Sequence, residues 1–99
     1  MNEKISRSSV ICSVSRALLG EVSIRLRCVQ ASYDEAEIHL YCYFDGELQE
    51  ADIESMQIVS GMVAGDFSGH KGVEHCIRLD VPAVVPAFDD RITIFLRKN

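Results

Sequence analysis

The stretch Glu37-Ile-His-Leu-Tyr-Cys-Tyr-Phe-Asp-Gly46, followed by Glu47-Leu-Gln-Glu-Ala-Asp-Ile-Glu-Ser-Met-Gln-Ile-Val-Ser-Gly-Met-Val-Ala-Gly-Asp-Phe67, decides the fold. In its first half, Ile38, Leu40, Cys42 and Phe44 alternate with His39, Tyr41 and Tyr43, the period of two that marks a β-strand. Large residues on both faces point to an interior strand or to a surface that meets something on its second side. Asp45-Gly46 then breaks the strand, and Ile53, Met56, Ser60, Val63 and Phe67 recur with helical spacing. Glu47, Glu50, Asp52 and Glu54 crowd the start of that helix, where the macrodipole favours negative charge. Gly61 and Gly65 lie four apart and predict a close approach of the helix to the sheet, and Gly69 marks its exit.

Upstream, Val10, Ile11, Val14, Ala17 and Leu18 fall on one face of a helix over about Ser9 to Leu19, with Gly20 as its stop signal. The apolar alternation changes phase between Leu26-Cys28 and Val29-Ala31-Tyr33. Either a bulge near Cys28 and Val29 absorbs the change, or a loop leads into a strand from about Leu26 to Tyr33; the second is preferred. Asp34-Glu35-Ala36 is a polar turn that makes a hairpin with the strand at Glu37. Downstream, Val73, His75, Ile77, Leu79 and Val81 alternate with Glu74, Cys76, Arg78 and Asp80, predicting a strand whose odd positions face the core. Pro82 to Pro86 reads as a loop or sheet edge, and a last strand runs from Arg91 to Arg97. The order is α-β-β-α-β-β. It predicts an α+β two-layer sandwich, one domain over residues 1 to 99, with two helices packed on one face of a four-stranded, largely antiparallel sheet.

Charge is distributed in blocks. Residues 1 to 27 carry +3, residues 28 to 70 carry nine acidic groups and no Lys or Arg, and residues 71 to 99 carry +1, which together account for the net charge of −5 over 99 residues. The central block repels phosphate backbones and favours a basic protein partner over nucleic acid. The plainer reading is a solvated acidic face that maintains solubility. Arg16, Arg25 and Arg27 are too few for a nucleic-acid patch and are expected to pair with the acidic segment instead. Cys12, Cys28, Cys42 and Cys76 show no CxxC pairing. No leader or membrane span is evident, so free thiols in a reducing cytoplasm are expected.

Catalytic and cofactor motifs do not emerge. His75 and Cys76 are neighbours on one strand and therefore point to opposite faces, which rules out a direct thiolate and imidazole pair. His39, Cys42, His70, His75 and Cys76 lack the paired spacing of structural zinc sites, and the carboxylates do not follow an EF-hand loop. Neither a P-loop nor a dinucleotide fingerprint is present. Adjacent acids such as Asp89-Asp90 are ordinary in surface turns. No cofactor, metal or catalytic residue is predicted.

Arg16-Ala-Leu-Leu-Gly-Glu-Val22, the hairpin end Tyr43-Phe-Asp-Gly-Glu47, and the acidic helix running to Ala64-Gly-Asp-Phe67 resemble the small bacterial immunity proteins encoded beside polymorphic toxins. Over about residues 16 to 80 the likeness is greatest to those of contact-dependent growth inhibition systems. The resemblance implies a non-enzymatic cytoplasmic protein that binds the C-terminal domain of a cognate toxin, often a nuclease, and occludes its active site. Such a domain attracts phosphate and is basic, so an acidic inhibitor is steered to it. On charge and exposure, the candidate toxin-binding residues are Asp45, Glu47, Glu50, Asp52 and Glu54 at the helix end and Asp34, Glu35 and Glu37 at the hairpin turn. Tyr41 and Tyr43 are either aromatic anchors of the same surface or packing on the second sheet face. The two acidic groups lie at opposite ends of one strand. A small structural or adaptor subunit acting through a sheet edge or face is the alternative, and a His/Cys enzyme ranks last.

Overall fold

The computed structural model describes residues 5–79, 86 and 88–97. Its elements run α1 (Arg7–Ala17), β1 (Leu26–Tyr33), β2 (Glu37–Asp45), α2 (Glu50–Asp66), β3 (Lys71–Leu79) and β4 (Ile92–Leu96). The Pro82 to Val85 stretch read as a loop or edge lies outside the described residues.

Serines start α1. Ser6 is extended, its hydroxyl accepts from the Ser9 backbone N–H at 3.2 Å, and the Ser9 hydroxyl accepts from the Ser6 N–H at 2.8 Å. This reciprocal pair satisfies two of the donors that a helix start leaves without partners, so the helix begins at Arg7, earlier than its apolar spacing suggests. Gly20, at φ +83°, turns the chain away beyond the helix end. In β1 the expected bounds are met, and the phase change is absorbed by a bulge between Leu26 and Cys28. Leu26, Val29 and Ala31 consequently join the main core, while Cys28 joins a second apolar cluster with Tyr43 and Leu79.

The sheet order is β3-β2-β1-β4, which gives β2 the interior position that its two large faces require. β1 pairs antiparallel with both β2 and β4, but β2 and β3 are parallel, so the sheet is mixed and not largely antiparallel. The reason lies in α2. Its 17 residues span about 25 Å and return the chain to the start of β2, where the Lys71 N–H bonds the Ala36 carbonyl at 2.9 Å. A crossover of that length is what parallel neighbours need.

The register of this pairing reverses the face assignment expected for β3. Cys42 stands opposite Cys76, and Leu40 opposite Glu74, so the face of β2 that meets the helices continues through Gly72, Glu74 and Cys76. His75, Ile77 and Leu79 lie on the other face, beside Tyr41 and Tyr43. Glu74 is held under α2 by the Ser60 hydroxyl at 2.6 Å. The glycine that permits close approach is Gly72 on the strand, where an added Cβ would overlap the Ser60 carbonyl oxygen. Gly61 and Gly65 have open space above them and are exposed, so they do not face the sheet. Val10 and Val14 from α1 and Met56, Val59 and Val63 from α2 complete one core against β1 and β2.

The same substitution is therefore expected to have opposite signs at two glycines. Gly72→Ala should destabilise by about 1 to 3 kcal/mol through overpacking. Gly61→Ala should stabilise by about 0.5 to 1 kcal/mol by removing a flexible residue from a helix interior. Urea unfolding midpoints of the two variants against the parent measure both.

Candidate functional site

Two ends of β2 carry the acidic residues, and the structure treats them differently. At its C-terminal end, Asp45 accepts from the Arg27 Nε at 3.0 Å and from the Arg27 second guanidinium nitrogen at 2.7 Å, and also from Arg97. The hydrogen bonds from Arg27, followed by those from Arg97, hold its carboxyl below the usual range against the opposing effect of burial. Asp52, in the first turn of α2, is only 4% exposed and pairs with the Arg25 Nε at 2.8 Å. Arg16 pairs with Asp66 at 3.0 Å, so all three arginines expected to engage the acidic segment do so.

What this leaves is narrower than the sequence suggested. Glu47, Glu50 and Glu54 are exposed, with no ion pair or hydrogen bond from any side chain among the described residues. Gly46, at φ +73°, turns the chain out of β2 so that Glu47 leads into α2, and its N–H is tied to the Leu79 carbonyl at 3.1 Å. The α2 N-cap, Gln49, makes no side-chain capping bond. Unsatisfied N–H groups and the macrodipole therefore add positive potential beneath these carboxylates. Glu47 stands just before the helix and Glu50 and Glu54 in its first turns, with their charge exposed to solvent.

At the other end, Asp34 is mostly structural. Its Oδ1 accepts from the backbone N–H of Ala36 and of Glu37, each at 2.8 Å, and these bonds lower its carboxyl pKa. Glu35 is exposed, and Glu37 lies 3.3 Å from the His39 Nε2. Asp34, Glu37 and His39 bring three ligand atoms within 4.8 Å of one another. The bonds of the turn and the Glu37–His39 contact already account for that grouping.

Tyr41 and Tyr43 lie on the sheet face away from the helices, in a closed network. Tyr43 is 2% exposed; its hydroxyl donates to the Gln30 Oε1 at 3.2 Å and accepts from Arg91 at 2.8 Å. The Arg91 guanidinium sits 3.5 Å from the Tyr41 ring centroid and 3.8 Å from that of Phe88, a cation–π arrangement. The Tyr41 ring stacks 5.0 Å from His75, whose Nε2 is 3.0 Å from the His39 Nδ1. Tyr43 is thus packed on the second face, and Tyr41 lies half-buried in the same network. Arg91, Gln30 and the His39–His75 pair are functional-looking groups that periodicity did not single out. Gln30, polar between Val29 and Ala31, was the available signal.

Chemistry is not assembled anywhere in these groups. Cys76 lies on the helix side of β3 and His75 on the opposite side. Burial, reinforced by the charges of Glu74 and Asp52, pushes the Cys76 thiol up, away from the thiolate a nucleophile requires. An open depression of about 200 Å³ is lined by Arg7, Ser32, Tyr33, Asp89, Asp90, Arg91 and Ile92. Its one serine hydroxyl, that of Ser32, lies 3.1 Å from the Tyr41 hydroxyl.

Residues 7–99 match the family model described as MafI2 immunity protein. The chain belongs to this family. No curated protein matches it. As a MafI2 immunity protein it acts against a toxin of a polymorphic toxin system, and a cognate toxin is its partner. The match bears out an immunity protein of a polymorphic toxin system over nearly the whole chain, and it does not single out contact-dependent growth inhibition. It takes in both acidic ends of β2 and the Arg91 network.

The paired carboxylate gives an acid-stability test. A depressed pKa in the folded state means that the contribution of Asp45 is complete above the unfolded value near about 3.9 and is lost as pH falls through the folded value. Between pH 6 and pH 2, the urea midpoint of the parent should fall more steeply below about pH 4 than that of Asp45→Asn. Parallel curves would show that the Arg27 and Arg97 pairs carry no linkage.

Proposed function

We propose that this immunity protein neutralises a basic, nucleic-acid-cleaving toxin domain by binding it stoichiometrically and covering its active site, in the cytoplasm and without catalysis of its own. Residues 1 to 99 act as one immunity-type domain, and the toxin is of the kind delivered by contact-dependent growth inhibition. The observation that carries this reading is the sorting of charge at the start of α2. Asp45 and Asp52 are neutralised internally, whereas Glu47, Glu50 and Glu54 remain exposed beside them. A nuclease must concentrate positive charge to hold phosphate, so a fixed trio of carboxylates is attracted to the same surface and competes with substrate there. The hairpin end contributes less, because Asp34 is committed to its own turn.

Co-purification with the C-terminal domain of the toxin encoded beside this gene, together with rescue of growth, tests the function. Neither a complex nor protection would end it. The charge argument has its own test, in which Asp52 is left intact because its loss would disturb the fold. A Glu47→Gln, Glu50→Gln, Glu54→Gln variant should associate about tenfold more slowly at low salt. It should also lose most of the salt dependence of association. Stopped-flow or surface-based kinetics with unchanged rates would remove this helix end from the interface.

A further inference from the structure

Beyond Glu54, the outer face of α2 changes character. Ile58 is 51% and Met62 52% exposed, although the helix already buries Met56, Val59 and Val63 on its opposite side. Gly61 and Gly65 lie on the same outer face, one turn apart, with nothing within 4 Å of an added Cβ. A helix that is apolar on both sides is one whose second side is covered by another surface. Glycine in an exposed helix interior costs stability, and here no contact among the described residues requires it. Both features have one physical explanation: another backbone comes close at Gly61 and Gly65, and an apolar projection sits against Ile58 and Met62.

We infer that the outer face of α2 from Glu50 to Gly65 is a single docking surface for the cognate toxin domain, with the apolar half as its dry centre and Glu47, Glu50 and Glu54 as its charged end. This rests on the function proposed above and adds to it where the toxin backbone approaches most closely. The partner surface it fits has Lys or Arg at one end and an apolar projection at the other. Charge selects that partner over a second copy of this chain. A copy would set the face against itself and bring Glu50 and Glu54 onto their own counterparts or onto an apolar stripe, with no cation to meet them. The arrangement of apolar centre and charged margin is that of protein interfaces in general.

The test uses the full chain and the C-terminal domain of the toxin encoded beside its gene. A Gly61→Gln, Gly65→Gln variant should melt at or above the temperature of the parent, since both positions are open and glutamine favours helix. Its affinity for the toxin domain should nevertheless fall by about tenfold, mostly through faster dissociation. Met62→Gln, which touches no glycine, should weaken binding by about fivefold with the fold intact. Affinities equal to that of the parent in both variants overturn the inference and leave the function standing. Absence of any complex with the unaltered chain overturns both. Self-association of the parent that the glycine variant abolishes would assign the face to a second copy and also overturn it.

Discussion

Everything in this fold is arranged around the seating of α2 on β3, where the Ser60 carbonyl lies directly above Gly72. A side chain at that position would lift the helix from the sheet, and the Ser60 hydroxyl could no longer reach Glu74 at 2.6 Å. Because α2 is seated there, it returns the chain to the start of β2, and the two strands it links run parallel. The same seating directs Glu50, Glu54, Ile58 and Gly65 away from the core and fixes them as one outward surface. Fold and candidate interface are therefore two sides of one helix, set by one close contact.

The charge pattern follows from where the chain places its arginines. Arg25 and Arg27 flank the start of β1, beside the end of β2 and the first turn of α2, and so reach Asp52 and Asp45. Arg16, on α1, reaches Asp66 at the other end of α2, whose carboxylate also accepts from the buried Ser13 hydroxyl at 2.6 Å. Each pair ties two elements together, yet the exposed ones add only about 0 to 1 kcal/mol apiece. Their larger effect is on the surface. By neutralising carboxylates at element junctions they confine unpaired negative charge to a few positions, and a localised field orients a partner where a diffuse one would only attract it.

Much of this was legible in the sequence, and the exceptions have physical causes. Element order and the internal pairing of the three arginines follow from periodicity and charge alone, whereas the large residues on both faces of β2 left an interior strand and a second contact surface open until the sheet order decided for the interior. Periodicity within β3 correctly announced a strand, but it assigned the wrong face to the helices. Alternation reports which side is more apolar, not which side is covered, and here the second sheet face has its own cluster around Cys28, Tyr43 and Leu79. Gly61 and Gly65 looked like packing glycines because spacing does not reveal orientation relative to the sheet. Among the candidate site residues, charge could not separate Asp52 from Glu50 and Glu54. Only the position of Arg25 does, and that depends on contacts distant in sequence.

The second sheet face also clarifies why the helix is the better place to look for recognition. With Tyr43 buried, Tyr41 beneath Arg91, and Arg91 bonded to both Tyr43 and Gln30, its central groups are already engaged with one another. Opening that network to admit a partner would strip a guanidinium of its aromatic and hydroxyl contacts while its Nε already lacks a bond among the described residues. Leaving a half-buried guanidinium without its partners is costly. The outer face of α2 demands no such rearrangement. Its carboxylates are solvated, its apolar side chains are exposed, and its glycines leave the backbone accessible, so a partner gains contact there without first breaking any that the protein has made.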